Sequence, residues 1–121
     1  MKIYYAHSIQ IYGSAREVNE FAYLYDFYSE AKVINPEHLD YSGMKKYLKI
    51  VSKCDEIVAS ELDGYIGKGV FCEIARAMSE GIPVKVLRKK GKEYTLEPVT
   101  GIQVINEHDW KIKYAKLILN N

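Results

Sequence analysis

Short apolar segments alternate with amphipathic helical patterns along almost the whole sequence, and this alternation limits the possible folds more than any other feature. Segment 2–6 is β-branched and aromatic, which is typical of a buried strand. Ser14 then predicts a helix N-cap, and Glu17 completes a capping-box pattern. Further strands are predicted at 32–35, 56–60, 84–87 and 102–105, and helices from Ser14 to about 29 and over 44–53, 69–79 and 107–119.

Strands that alternate with helices predict a parallel sheet with helices on both faces, because each parallel connection must cross back over the sheet. We therefore predict an α/β fold, a flavodoxin-like, doubly wound, parallel five-stranded sheet of strand order 2-1-3-4-5. With 121 residues the chain has room for one hydrophobic core, so 1–121 is expected to form a single domain. Residues 92–98 fit either an irregular hairpin arm or a loop.

The composition argues against several classes of partner. A net charge of +1 provides no general attraction for nucleic acid or for an anionic membrane, and no apolar run approaches the length of a membrane span. The N-terminal segment lacks the apolar core of a signal peptide, so we expect a cytoplasmic protein. Cys54 and Cys72 lack the close-spaced partners of a zinc site. Two reduced thiols are the simpler expectation, and the spacing leaves a disulfide open.

Two predicted loops meet where a ligand is expected. In an open α/β sheet the ligand crevice lies at the carboxyl ends of strands one and three, where the strand order reverses. The loop after the first strand begins with His7, Ser8 and Ile9, and a histidine there would hold a phosphate or orient a base. The loop after the third strand carries Asp63, an acid that is expected to reach a substrate.

Glu73 is the first candidate for a reacting group. It follows Gly69 by about one helical turn and lies on the flank of an apolar stripe. A carboxylate in that place is expected to be partly desolvated, which suits a nucleophile or a general base. An acid in an early helical turn is also favoured by the helix dipole alone, so the position by itself leaves a purely structural role open.

Gly67, Lys68 and Gly69 open the same helix. Backbone N–H groups of a glycine loop at a helix N-terminus can bind an anion, and Lys68 would add charge. A tight turn with close packing of helix on strand explains the same glycines equally well. The sequence contains no Walker motif, GxGxxG fingerprint, serine elbow or HExxH, which argues against triphosphate hydrolysis, dinucleotide binding, a serine hydrolase and a zinc peptidase.

Three segments of the chain resemble one known family. KIYYAHSI, VINP and the run from CDEIVAS through GKGVFCEIARAMSEGIPV are similar to the nucleoside 2-deoxyribosyltransferase superfamily, which includes deoxynucleoside 5′-monophosphate N-glycosidases. The likeness covers about residues 1–88, and its best motif is a glycine, three residues, a glutamate, a small-residue helix and G-x-P-V. It implies a flavodoxin-like fold and a homodimer or higher homo-oligomer in which neighbouring subunits complete the pocket.

The resemblance also implies a reaction. Glu73 would be the nucleophile that attacks the anomeric carbon of a deoxyribosyl group, and Tyr4 would orient its carboxylate. His7, Ser8 and Ile9 would form the loop that cradles the sugar or its 5′-phosphate. The base would leave as in a retaining glycosidase, and water or a second base would then take the sugar. No metal or other cofactor is implied, and the expected partner is a small-molecule nucleoside or nucleotide.

The chain departs from the family pattern at several positions. The aspartate that helps to protonate the leaving base is replaced by Lys49, or by Tyr47 if the alignment is anchored on the CD before the third strand. Activation of the leaving group must then come from another group, such as Asp63, or be absent. Three further family residues, a serine, a loop arginine and a second glycine, are replaced by Gly67, Gln10 and Phe71.

Two functional hypotheses remain at the level of the sequence. The first is an enzyme, an N-glycosidase or deoxyribosyltransferase that acts on the N-glycosidic bond of a nucleoside or nucleotide through Glu73. The second is a non-catalytic nucleotide-binding module of the same fold, which the missing aspartate favours. Replacement of Glu73 by glutamine separates them, because it should abolish turnover in the enzyme and change only affinity in the module.

Overall fold

The computed structural model describes residues 1–39, 43–99 and 103–104. Within these residues the chain forms seven strands and three α-helices. The strands are β1 Lys2–Ala6, β2 Lys32–Ile34, β3 Glu56–Ser60, β4 Tyr65–Ile66, β5 Val84–Lys90, β6 Glu93–Pro98 and β7 Gln103–Val104. The helices are α1 Ala15–Phe27, α2 Met44–Val51 and α3 Lys68–Ser79, and 3-10 turns lie at Ile9–Ile11 and Pro36–His38. The helix predicted over 107–119 lies outside the described residues.

Five strands form one sheet in the order β2-β1-β3-β5-β6. The first four are parallel, with Tyr4 opposite Ile57 and Ala59 opposite Val86 in neighbouring strands. This arrangement confirms the predicted α/β, flavodoxin-like fold, and the strand order is the predicted one when the sheet's own strands are counted. β1 and β3 are neighbours inside the sheet. The chain places β2 on one side of β1 and then crosses to the other side of β1 to form β3, so the strand order reverses between β1 and β3, as the fold class requires.

The identity of the fifth strand differs from the prediction. The sheet ends with β6, which pairs antiparallel with β5, whereas the segment predicted at 102–105 contributes β7 to a separate two-stranded sheet with β4. A hairpin is the simpler solution because Lys90 pairs with Glu93 across a two-residue turn. Gly91 has a φ of 64°, the left-handed conformation that such tight hairpin turns need. Of the two alternatives for 92–98, the hairpin arm is therefore confirmed.

Helices cover both faces of the sheet. Since side chains alternate along a strand, neighbouring residues of β1 and β3 belong to different cores. The core under α2 and α3 contains Tyr4, Ala6, Val51, Ile57, Ala59, Val70, Ile74 and Ala77. The core under α1 contains Ile3, Tyr5, Leu24, Val58 and Leu87. Every residue of β3 is buried, which explains why Ile57, Val58 and Ala59 follow one another at its centre instead of alternating with polar residues.

The carboxyl ends of β1 and β3 lie side by side because these strands are parallel neighbours. The loop that follows β1 and the loop that precedes α3 therefore approach the same edge of the sheet, next to the first turns of α2 and α3. In the part of the chain that the structure describes, no helix is both long and apolar enough to cross a membrane.

Candidate active site

A cavity of about 390 Å³ opens at this edge of the sheet. Its walls come from the end of β1, the loop after it, the turn Pro36–His38, the start of α2 and the first two turns of α3. All of the residues predicted for the site line this cavity except Asp63. The cavity also contains side chains to which the sequence assigned no part in binding, chiefly Tyr12, Met44 and Tyr47.

Glu73 and Tyr4 form the polar centre of the cavity. Tyr4 lies on the face of β1 that α3 covers, and Glu73 lies in the second turn of α3 with its side chain toward the sheet. The Tyr4 hydroxyl donates a short hydrogen bond to Glu73 Oε2. Glu73 is only 5% exposed although it lines the cavity, and Tyr4 is fully buried. The carboxylate of α3 and the hydroxyl of β1, which the family resemblance paired, are therefore in contact.

The surroundings of Glu73 favour its protonated form more than water does. Burial raises the pKa of Glu73 to about 7, and the hydrogen bond from Tyr4 opposes part of this rise. Burial also raises the pKa of Tyr4, and the neighbouring Glu73 raises it further, so the phenol keeps its proton and acts as the donor. Near neutral pH the carboxyl is consequently poised between its charged and neutral forms, as an acid–base catalyst or a nucleophile requires.

Two more tyrosines line the cavity near this pair. The pKa of Tyr12 is raised by burial and, to a smaller extent, by the nearby Tyr47 and Glu73. Tyr47 is half-buried in the first half of α2. Its helical spacing is typical of a core residue, and only one of the two alignments with the family placed it at a site position, that of the missing aspartate. The position of α2 in the fold could have indicated this role, because the start of α2 lies at the same edge of the sheet as the loop after β1.

α2 approaches the start of α3 closely, and a glycine permits this approach. A Cβ atom built on Gly69 would lie 3.1 Å from Met44 Cε, closer than side chains normally pack. Gly67 is the N-cap of α3 and makes no side-chain capping hydrogen bond. The first backbone N–H groups of α3, which have no acceptor within the helix, therefore receive no side-chain cap from Gly67 at this cavity wall. Lys68, exposed at the same wall, adds a positive charge.

His7 is at the cavity wall, but its ring nitrogens are directed into the protein. Nδ1 lies 3.1 Å from the Tyr5 carbonyl oxygen, and Nε2 lies 2.5 Å from Glu17 Oε2. Ser8 Oγ accepts a hydrogen bond of 3.2 Å from the Gln10 amide and so caps the 3-10 turn. These contacts hold the loop in shape, and the predicted direct contact of His7 with a phosphate is not supported by them.

Asp63 does not line the cavity. It is exposed and has a φ of 52° in the tight turn between Leu62 and Tyr65, a left-handed conformation that aspartate tolerates better than most residues. The turn directs the chain into β4 rather than toward Glu73. Of the two positions aligned with the family's aspartate, Lys49 is exposed outside the cavity and Tyr47 lies in it.

Among the residues that the structure describes, no group of three or more histidine, cysteine, aspartate or glutamate side chains is placed to hold a metal ion. Cys54 and Cys72 are both free thiols, so the disulfide that the spacing left open is not formed. Cys72 lines the cavity beside Glu73, and Cys54 is buried in the core under α2 and α3.

Comparison with known proteins relates the fold to one enzyme. The sequence matches no protein-family model and no curated protein. Among solved structures, the chain is similar to a 2-desoxiribosyltransferase from Leishmania mexicana, with a TM-score of 0.57 and 13% sequence identity over 86% of this chain and 82% of the other. At this level of identity, the similarity establishes that the two proteins share a fold.

Proposed function

We propose that this protein cleaves the N-glycosidic bond of a nucleoside or nucleotide, with Glu73 as the nucleophile, and passes the sugar to water or to a second base. The observation that carries the proposal is the buried Tyr4–Glu73 pair inside a cavity at the carboxyl edge of the sheet. The fold shared with a deoxyribosyltransferase supports the same class of reaction. A cavity of about 390 Å³ is within the usual range for a small-molecule site.

The pair suits the first step of such a reaction. One carboxylate oxygen of Glu73 accepts the Tyr4 hydroxyl, which fixes the side chain and leaves the second oxygen to attack the anomeric carbon. As the new C–O bond forms, the C–N bond breaks and its electron pair leaves with the base. The base must gain a proton, and Tyr47 is our candidate for directing that proton because it lines the cavity where the family's aspartate is missing.

The second step regenerates the enzyme. Water attacks the anomeric carbon of the glycosyl ester, and the C–O bond to Glu73 breaks with its electron pair returning to the carboxylate. Water loses a proton, which balances the proton that the leaving base gained, and free sugar leaves. Alternatively, a second base attacks with loss of its N–H proton and a new nucleoside forms. Since the nucleophile must be ionised, the pKa near 7 leaves about half of the enzyme ready to react at neutral pH.

The test is release of base from a panel of nucleosides and 5′-monophosphates, each with ribose and with deoxyribose, followed by chromatography. Wild-type protein should release base from one class of compound, and Glu73→Gln should not. Glu80→Gln, an exposed change at the C-cap of the same helix, is the matched control and should keep full activity. Mass spectrometry after rapid quenching should detect a glycosyl adduct on the peptide that contains Glu73.

The second candidate is a nucleotide-binding module without turnover. The observation that favours it is the absence of Asp63 from the cavity, which leaves no carboxylate but Glu73 among the described residues that line it. In that case no compound releases base, with or without an acceptor base. Calorimetric binding of one nucleoside or nucleotide would still be measured, and Glu73→Gln would only change its affinity.

A further inference from the structure

Glu17 holds both ends of the loop that forms one wall of the cavity. Its Oε2 lies 2.5 Å from Nε2 of His7, the first residue of the loop, and its Oε1 accepts a hydrogen bond of 3.0 Å from the amide of Gly13, the last. Glu17 belongs to the first turn of α1 and is 3% exposed. A single buried carboxylate therefore connects the end of β1, the cavity loop and the start of α1.

The geometry around His7 fixes where its protons are. A carbonyl oxygen only accepts hydrogen bonds, so Nδ1, which lies 3.1 Å from the Tyr5 carbonyl, must carry a proton. The Nε2–Glu17 contact holds a second proton, since two lone pairs would repel at 2.5 Å. Burial acts to raise the pKa of Glu17, but the Gly13 amide and His7 outweigh burial and hold this pKa below its usual range. A proton therefore lies between Nε2 and Glu17 Oε2 and joins the ring to the carboxyl.

Aromatic rings enclose His7 on both sides. The ring of Tyr5 stacks on it at 3.8 Å and the ring of Tyr12 lies 4.9 Å away, and the His7 side chain is fully buried. Glu37, in the turn Pro36–His38, is also near this pair, and its hydrogen bond also lowers the pKa of Glu17. A ring enclosed in this way is not available to a ligand.

We propose that Glu17 is a positioning residue: through its contacts with His7 and with the Gly13 amide, it fixes the loop from His7 to Gly13 and so places Ser8 and Tyr12 at the cavity wall. Ser8 follows His7 directly, and Tyr12 packs on the His7 ring and precedes Gly13. The positions of both side chains therefore depend on the two loop ends that Glu17 contacts. The effect on turnover rests on the proposed function, whereas the hydrogen bond between Glu17 and His7 does not.

The first measurement is nitrogen NMR on protein with isotope-labelled histidine. The chain has three histidines, so the spectrum is simple, and the His7→Gln variant assigns the His7 signals. Wild type should show the proton of the Nε2–Glu17 hydrogen bond as a far-downfield signal that exchanges slowly with water and couples to Nε2. In Glu17→Gln the side-chain amide faces Nε2 instead, so this signal should disappear. A wild type without this signal would overturn the proposal, whether or not any substrate is known.

The second measurement compares two buried glutamates. Glu56 lies at the start of β3, at the opposite edge of the sheet, and pairs with Lys85 at 3.1 Å. With the substrate found in the panel above, Glu17→Gln should lower kcat/KM by about 10- to 100-fold, mainly through KM, because a displaced wall misplaces the substrate. Glu56→Gln should stay within about twofold of wild type. Equal losses in both variants would reduce Glu17 to a general contribution to stability and refute the positioning role.

Discussion

Replacing Glu73 with glutamine should make the folded protein more stable at alkaline pH and not at acid pH. Burial raises the pKa of this carboxyl from an ordinary 4.5 to about 7, so the folded state holds the proton more tightly than the unfolded state does. The free energy of unfolding must then fall as the pH rises from about 4.5 to about 7 and stay low above that range. At about 1.4 kcal/mol per unit, the shift corresponds to about 3 kcal/mol.

Urea denaturation at two pH values measures this effect. The glutamine variant lacks the ionisation, so its advantage over wild type should be about 3 kcal/mol at about pH 8 and less than about 1 kcal/mol at about pH 5. Any cost of the amide itself, such as an imperfect hydrogen bond with Tyr4, is the same at both pH values and cancels in the comparison.

Glu80→Gln is the control, because the pKa of Glu80 is shifted in the opposite direction to that of Glu73. The pKa of Glu80 is lowered, first by its hydrogen bond with Ser52 and then by Arg76, so this carboxylate stabilises the folded protein above its ordinary pKa. Its glutamine variant should therefore gain nothing at about pH 8. If the Glu73→Gln advantage is equal at the two pH values, the carboxyl is not desolvated in the folded protein. Glu73 would then also lack the raised pKa that makes it a poised nucleophile.

Three further outcomes are expected. Tyr4→Phe removes a hydrogen bond to the charged form of Glu73 that is worth about 1.5–3 kcal/mol. The rising limb of the plot of kcat/KM against pH should therefore move up by about one to two pH units. A limb that does not move contradicts the pairing of Tyr4 with Glu73. Gly69→Ala should leave the urea midpoint nearly unchanged, because the flexible end of Met44 can give way, yet it should weaken substrate binding in a titration, since Met44 lines the cavity. Leu24→Ala should lower the free energy of unfolding by about 2–5 kcal/mol in urea, because Leu24 of α1 is fully buried in the core between α1 and the sheet. A loss below about 1 kcal/mol would refute its place in that core.

Much of the fold could be predicted because its signals are local. The run at 56–60 and the stripe of α3 are each specified by a few consecutive residues, and the structure places both elements within a residue of the prediction. The partner of a strand is not a local property. Segment 102–105 was predicted as the fifth strand, but the tight turn at Gly91 joins segment 93–98 to β5 and makes it the fifth strand of the main sheet.

The candidate site could be predicted where the position of a residue within a single helix or strand is enough to show which way its side chain points. Glu73 is such a case, since helical spacing gives its direction, whereas Tyr4 was expected beside it only from the family resemblance. Glu17 is not. Its spacing from Ser14 predicts a capping box, and the Ser14 hydroxyl does accept from the Glu17 amide, but the Glu17 carboxylate reaches Gly13 and His7 instead. The competing partner, His7, is brought there by the packing of β1 against α1, which no spacing within the helix can reveal.

The edge strands of the main sheet affect how copies of this chain can associate. β2 has only three residues, and β6 carries Glu93 and Glu97 and ends at Pro98, which has no N–H to donate. Short, charged or proline-bearing edges resist the addition of a foreign strand, which protects the sheet from open-ended aggregation. A homo-oligomer of the kind expected from the sequence is thus more readily built from helix surfaces, and the exposed Val18 and Tyr25 of α1 are the first positions at which to cross-link it.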